Sequence, residues 1–582
     1  MNLYPTRSRP ASRSSRRSRP QSRSAAALAV FASALVCALP SWADAGPDLS
    51  TQLDQLFRDA YASDPGTAPG ASVLVKKGDQ VLLRQGYGSA DLELGVAIEP
   101  DMVFRLGSIT KQFTAVAVML LVEDGKLKLD QTLAELLPDY PDVHDGEVTL
   151  EQLLDHTSGI PSYTAMPEFW EKARQDLTVD EMLDFFDEKE LEFEPGTQWA
   201  YNNSGYFLLG AVIEQISGKT YADFMQERVF KPLGLSRTTY GDPTKITPRR
   251  VEGYQFRDGE YRVAEFISMS CPYAAGSLLS TVDDLATWKD ALKAASEKDG
   301  GWISKAGLES MWQPQILADG EATSYGYGWQ LSTMDDRKMI HHGGGIHGFT
   351  THALWIPEGD IFVAVLSNGH PQSPTMMSVQ AAALVAGRPF ERRAIEVAPE
   401  KLERFVGVYR IDEATKRVVT LEDGALWTQR SEGRKMKVTP ASDTGFFYED
   451  SLTRLRFLVE DGKVTGMALQ PWDGEEELAE KTDQPIPGPK KTVQLSHEQL
   501  DRLAGRYELA PNFVLEVRRE GDSLITQATG QGPIEIFASS ETEFFNEQIG
   551  GRIVFDLADG ASATALTLYQ GGREMKAPRL AE

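Results

Sequence analysis

Arg105-Leu106-Gly107-Ser108-Ile109-Thr110-Lys111-Gln112-Phe113 contains the chain's only Ser-x-x-Lys. From Phe113 to Val122 the residues are apolar with helical spacing and stop at Asp124-Gly125, so a helix follows the motif. If Ser108 opens that helix, a step of three residues brings Lys111 round to the same face. A serine hydroxyl is a weak nucleophile until a base takes its proton. The positive end of the helix favours an alkoxide at Ser108 and disfavours a proton on Lys111, and burial would push the lysine the same way. Taken alone, the pair is a weak signal, because a capping serine with a lysine one turn later is common.

Two further clusters change its weight. Phe193-Glu194-Pro195-Gly196 leads to Tyr201-Asn202-Asn203, the only Tyr-x-Asn, just before an apolar helix over 205–216 that ends at Ser217-Gly218. A loop tyrosine and an amide two residues apart can point into one cleft, the phenol relaying a proton and the amide holding a substrate. Later, His341-His342-Gly343-Gly344-Gly345-Ile346-His347-Gly348 sets histidines beside a glycine run that an ordinary strand does not need. Such glycines let a substrate approach the backbone and take an oxyanion N–H.

Around these clusters, residues 48–63 have helical periodicity and residues 71–88 alternate as a strand pair about Lys77-Gly78-Asp79. A short strand over 362–366 precedes Ser367-Asn368. Strands, a long helical middle and strands again imply one α/β unit whose sheet is closed by distant segments. Beyond about residue 386 the character changes. Residues 388–399 and 484–491 read as proline-bearing linkers, and 402–462 aligns with 500–560 at a constant offset of 98 with 18 identities in 61 positions. Average composition gives roughly four by chance. Both copies consist of short alternating runs, hence two small all-β units. Phe446-Phe447 and Phe544-Phe545, at equivalent positions, are expected in their cores.

The 582 residues carry a formal charge of −26, which excludes nucleic acid as a partner, since phosphate contacts need a basic surface. Residues 1–45 differ from the rest. Seven arginines precede Asp44, followed within the same stretch by the apolar run 25–39 and a cleavage-like Ala43-Asp44-Ala45. This is the pattern of a bacterial signal peptide, implying a periplasmic or secreted protein with no membrane span in its mature form. That leader holds +6, so the chain without it would stand at −32 against the −26 of the whole. Cys37 falls in the leader, leaving Cys271 alone as a packed residue with no disulfide partner.

Taken in order, the three clusters resemble the motifs of the serine β-lactamase and penicillin-binding-protein-like hydrolases of the class C type: Ser-x-x-Lys, Tyr-x-Asn and Lys/His-x-Gly. Here they stand as Ser108–Lys111, Tyr201–Asn203 and His342–Gly344. Segments 153–161, 193–201, 275–281 and 325–329 match the family as well, and the resemblance covers 48–390. It implies an α/β catalytic domain with an antiparallel sheet and a helical subdomain. Two lipocalin-like barrels, over 398–482 and 496–582, follow it, a layout similar to that of D-aminopeptidases. It further implies that Ser108 is acylated, with Lys111 and Tyr201 sharing base and relay duties. Asn203, His342 and Gly344 would bind substrate, and the N–H groups of Ser108 and Gly345 would form the oxyanion hole. No cofactor and no metal are implied. His341, His342, His347 and His352 have irregular spacing, and there is no His-Glu-x-x-His. His156 is expected to brace a loop, and Tyr325, Tyr327 and Trp329 to line core and cleft.

One departure bears on substrate. Many penicillin-recognising members have Lys-Thr-Gly where this chain has His342-Gly343-Gly344. The hydroxyl is gone and histidine is only partly charged at neutral pH. Losing a charge-assisted hydrogen bond weakens carboxylate recognition by about 1.5–3 kcal/mol. That argues against an efficient β-lactamase and a strict C-terminal carboxypeptidase. His-Gly-Gly resembles instead the D-aminopeptidase branch, which implies small peptide or amide substrates of D-amino acids, cell-wall-derived ones included. An esterase, weak β-lactamase or D,D-carboxypeptidase is the alternative within the family. A catalytically silent cell-wall or ligand-binding protein is the alternative from another class. The oligomeric state is left open.

Overall fold

The computed structural model describes residues 48–582 except 62–63, 139, 141–146, 258, 299, 335, 391, 414, 432, 450, 475, 489–490, 511–512, 530–531, 547–549, 558–560, 571–572 and 581–582. The leader-like residues 1–45 thus lie outside the described residues. Six strands form the catalytic sheet: β1 (Ala71–Lys77), β2 (Gln80–Tyr87), β3 (Gln330–Met334), β4 (Arg337–Ile346), β5 (Phe349–Ile356) and β6 (Ile361–Ser367). Their spatial order is β3-β4-β5-β6-β1-β2, antiparallel throughout. The seam between N-terminal and C-terminal strands is β1 against β6, with Ala71 opposite Ser367 and Lys77 opposite Ile361. Both strands read as nearly unbroken apolar runs because both faces of the sheet centre are covered.

Five helices position the site: α1 (Leu49–Tyr61), α2 (Thr110–Glu123), α3 (Asn203–Ser217), α4 (Val282–Glu297) and α5 (Pro374–Val385). α1 and α5 cover one face, sharing a core with Val73, Val75, Val363 and Val365. α2, α3 and α4 belong to the core on the other face, with Leu74, Ala364 and Leu366. Successive side chains of β1 and β6 thus divide between two cores, as the strand period of two requires. Every residue of α2 from Thr110 to Leu121 is buried, so this helix runs through the interior rather than over it. Asn202 caps α3, its side chain accepting from the Gly205 N–H at 2.8 Å.

After α5, two all-β units follow. The first is a closed barrel, running from Gly407–Arg410 to Glu477–Thr482, which pair with each other. The second is an eight-stranded sheet whose ends meet through a bridge between Tyr507 and Arg579, a near-barrel. The repeat is visible strand by strand: Ala425–Arg430 corresponds to Ser523–Ala528 at the sequence offset. In both copies the matched tyrosine donates to the carbonyl four residues back, Tyr409 to Phe405 at 2.6 Å and Tyr507 to Leu503 at 2.7 Å. All four residues of the aromatic pairs are buried. Phe446 and Phe544 belong to the two barrel cores, whereas Phe447 packs under the Arg392 guanidinium and Phe545 against Phe537. Adjacent residues of a strand point to opposite faces, so the two members of each pair pack on different sides.

The first barrel meets the catalytic unit through Leu452, buried in the α1/α5 core, and through Trp472, whose ring lies 5.9 Å from that of His341. Among the described residues no helix is long and apolar enough to cross a membrane.

Candidate active site

Ser108 sits in a single 3₁₀ turn, Gly107–Ile109, that runs directly into α2. The turn precedes the helix proper, so the serine N–H has no acceptor within the helix. Lys111, on the first turn of α2, is fully buried. Its Nζ lies 3.2 Å from Ser108 Oγ, 2.8 Å from Asn203 Oδ1 and 2.9 Å from the Ala275 carbonyl. Burial drives its pKa well below 10.5. A neutral amine has two N–H donors and one lone pair. With the donors directed to Asn203 and Ala275, the lone pair is left for the Ser108 hydroxyl.

Asn203 is held from behind, its Nδ2 donating to Thr164 Oγ1 at 3.0 Å. It is the first residue of α3 rather than a loop residue, which fixes its direction. Tyr201, two residues earlier, is in the loop and half-buried, with its hydroxyl oxygen shielded from solvent. Its hydroxyl has no partner within hydrogen-bonding geometry, although the Ser108 hydroxyl is close enough to pull its pKa partly back down. Burial wins, and the phenol stays protonated. The Lys111 Nζ lies 4.9 Å above the Tyr201 ring and 5.4 Å above that of Tyr206.

All three glycines of the third motif lie inside β4, where sequence alone suggested that a strand had no need of them. Their role is contact. A Cβ on Gly344 would stand 1.9 Å from the Leu106 carbonyl oxygen and 2.3 Å from Thr351 Oγ1, and one on Gly107 (φ 58°) would stand 2.8 Å from the Gly345 nitrogen. The strand and the nucleophile turn thus touch backbone to backbone. Thr351 Oγ1 adds a bond to the Leu106 carbonyl at 2.7 Å. β3 stops pairing at His341, so the outer edge of β4 is open beyond it. Gly345 lies opposite Thr350, one step from the Ile346–Phe349 pair that closes the hairpin. Alternation of an antiparallel ladder then turns the Gly345 N–H outward along that edge, beside Ser108.

Ser108, Tyr201, His342, Gly344 and Gly345 line one cavity of about 560 Å³. His342 departs from the expectation that it stands in for a cation. Its Nδ1 donates to the Gly343 carbonyl at 2.6 Å, its Nε2 accepts from the Tyr325 hydroxyl at 2.8 Å, and burial pushes its pKa down to about 3. It is a neutral, fully engaged imidazole. His156 Nδ1 accepts from the Asn202 N–H at 3.2 Å, and its ring packs 4.5 Å from those of Tyr201 and Tyr325, so it braces the Tyr-x-Asn loop. On the other face of β4, His341 Nδ1 and His352 Nε2 pair at 3.1 Å, between Ser332 and Ser378.

Sequence reasoning did not single out Thr164, the Gln330 edge, or the wall formed by His370, Ser373 and Thr375 at the start of α5. None carries a local motif; each reaches the site through the fold. Ala275, whose carbonyl holds Lys111, stands in a segment noted only for its family likeness. Gly344→Ala is expected to destabilise the catalytic unit by about 3 kcal/mol through overpacking against backbone. It should also lower kcat by displacing the nucleophile turn. Thermal unfolding monitored with activity checks this, and an Ala variant as stable and active as the parent would show that the contact is not tight.

An antiparallel sheet with a helical subdomain, and a serine, a buried lysine and a tyrosine at their junction, define a class of serine hydrolases that includes β-lactamases and penicillin-binding proteins. The chain belongs to the β-lactamase family, whose model matches residues 53–387. A domain of unknown function, DUF3471, matches twice, over 391–483 and 489–578. Penicillin-binding protein 4* of Bacillus subtilis is 28% identical over 441 residues, 71% of this chain and 94% of that protein. D-aminopeptidase of Gluconobacter oxydans is 27% identical over 347 residues, 59% of this chain and 63% of that protein. The octameric penicillin-binding protein homologue from Pyrococcus abyssi superposes with a TM-score of 0.51 at 27% identity, covering 74% of this chain and 99% of that one. D-amino acid amidase from Ochrobactrum anthropi SV3, complexed with L-phenylalanine amide, gives 0.50 at 25% identity over 59% and 99%. The protein is thus a hydrolase of the β-lactamase family.

Proposed function

We propose that this is an exported serine hydrolase that cleaves amide, peptide or ester bonds through an acyl-enzyme on Ser108, with D-amino-acid amides or peptides as the favoured substrates. The observation that carries the reading is Lys111, fully buried, with its Nζ 3.2 Å from Ser108 Oγ and two acceptors for its N–H groups. Ser108 Oγ attacks the carbonyl carbon as its proton passes to Lys111 Nζ. The carbonyl oxygen becomes an oxyanion between the N–H groups of Ser108 and Gly345. The tetrahedral adduct collapses, and the C–N or C–O bond to the leaving group breaks. The departing amine or alkoxide takes its proton from Lys111 through the Tyr201 hydroxyl. Water then attacks the ester, giving one proton to the same pair. The acid leaves and Ser108 regains its hydrogen.

Asn203 orients both Lys111 and the substrate amide. The preference for D-amino-acid substrates is supported by the relatives named D-aminopeptidase and D-amino acid amidase. Export is supported by the basic and then apolar composition of residues 1–45. A fluorophosphonate probe tests the chemistry: the Ser108 Oγ–P bond forms as fluoride leaves, and mass spectrometry is expected to place the adduct on Ser108 alone. A protein that hydrolyses its substrates yet carries no adduct there would contradict the reading, as would an adduct elsewhere.

A further inference from the structure

Asn203 carries a primary amide, with an oxygen at one end and an NH₂ of nearly the same shape at the other. Packing alone does not tell its two orientations apart. The difference matters at Lys111. With Oδ1 toward Nζ, at 2.8 Å, the amide accepts one amine N–H, and the lone pair stays with the Ser108 hydroxyl 3.2 Å away. Turned over, the amide would offer N–H groups to Nζ. A neutral amine accepts only through its lone pair, so that pair would go to Asn203 and Ser108 would have no base.

The orientation is decided at the other end of the amide, where Asn203 Nδ2 donates to Thr164 Oγ1 at 3.0 Å. Thr164 belongs to a 3₁₀ turn, Tyr163–Ala165, that is tied to the start of α3 independently of that bond. The Tyr163 N–H donates to Ser204 Oγ at 2.9 Å, Ser204 Oγ donates to the Pro161 carbonyl at 2.8 Å, and the Asn203 N–H donates to Ser162 Oγ at 3.2 Å. The Trp170 indole N–H holds the Thr164 carbonyl at 3.0 Å. The Ser162 and Thr164 hydroxyls are 3.0 Å apart and share a hydrogen bond. Ser162 Oγ can take the Thr164 hydrogen, which leaves Thr164 Oγ1 as an acceptor facing the amide. We propose, on the acyl-enzyme reading above, that Thr164 is a positioning residue: it turns the Asn203 oxygen toward Lys111 and so keeps the lysine lone pair for Ser108.

Thr164→Val keeps the shape and removes the acceptor, and Thr164→Ser restores it. The readout is the rate at which a fluorophosphonate labels Ser108 across pH, since that probe offers no amide for Asn203 to bind. The Oγ–P bond forms, fluoride leaves and the hydroxyl proton passes to Lys111. In the valine variant a fraction of the neutral molecules has the amide turned over and is idle. Protonated Lys111 has no lone pair and draws the amide oxygen back, so protonation restores the native orientation. The other titratable groups around Nζ are Tyr201, Tyr206, His156 and His342, all held uncharged by desolvation. The labelling plateau is expected to fall about three- to tenfold, with the acid limb moved down by the matching 0.5–1 pH unit or so, so that variant and parent coincide at low pH. Thr164→Ser should follow the parent throughout. A valine variant with parental rates overturns the proposal. So does a loss of the same size at every pH, or a serine variant as slow as the valine one. If the valine variant does not fold, Thr164→Ala takes its place with the same outcomes. A parent protein that takes no label on Ser108 overturns the acyl-enzyme reading instead.

Discussion

Ser108→Ala is expected to lower kcat/KM by about 10⁴–10⁶-fold on any substrate the parent hydrolyses, the cost of removing a nucleophile from a site whose parts act together. What survives would come from the oxyanion N–H groups and the cavity, which still hold a substrate but have nothing to attack it. The fold gives no reason for collateral damage. The Ser108 side chain is one of three groups around Lys111 Nζ, and Asn203 Oδ1 and the Ala275 carbonyl remain. Unfolding of the variant should therefore match the parent, and steady-state kinetics together with a melting curve separate lost chemistry from lost structure. Full activity in a well-folded Ser108→Ala protein would end the acyl-enzyme reading. Hydrolysis would then rest on a group other than Ser108.

Substitution of Lys111 has the second largest expected effect, about 10²–10⁴-fold in kcat for loss of a positioned base. Two variants make the argument specific. Lys111→Met keeps the length and the burial but supplies neither base nor donor. It leaves Asn203 Oδ1 and the Ala275 carbonyl without their bond, so it should lose stability as well as rate. Lys111→Arg keeps donors but stays protonated at all working pH, so it should be as inactive as the methionine variant. An active arginine variant would show that Lys111 serves as a charge and not as a base. The pH profile follows from the same burial. Lys111 works unprotonated, so kcat/KM falls as pH drops through its folded pKa. Burial has moved that pKa well below 10.5, so the plateau begins below the range where an ordinary lysine titrates. Tyr201 is shifted upward, so its ionisation should not end the plateau at the usual tyrosine pKa. Stability has the matching sign. In the window between the folded and unfolded pKa values of Lys111, the unfolded chain binds the extra proton, so its burial makes the native state more stable as pH rises. Lys111→Met should remove that part of the slope.

The candidate site was legible because its motifs stand at short fixed spacings. Ser108 and Lys111 share one helical turn, and Tyr201 and Asn203 flank the α3 cap. The repeat was legible because strand equivalences follow the offset of 98 residues without gaps over 402–462 and 500–560. The charge on His342 was not legible. An isolated histidine gives no sign of being sealed between Tyr325 and the Gly343 carbonyl, and only that enclosure drives it to about 3.

Sequence by itself therefore determined the three candidate motifs, the order of the units and the family likeness, all of which depend on residue type and local period. Tertiary structure decided the rest. It set Gly344 against the Leu106 carbonyl, brought the start of α5 to the wall of the cavity, and placed Trp472 of the first barrel on His341. Each of these joins residues far apart in the chain. The physical reason is the same throughout: desolvation, close contact and electrostatic compensation depend on what surrounds a group in space, and no local stretch of chain records its surroundings.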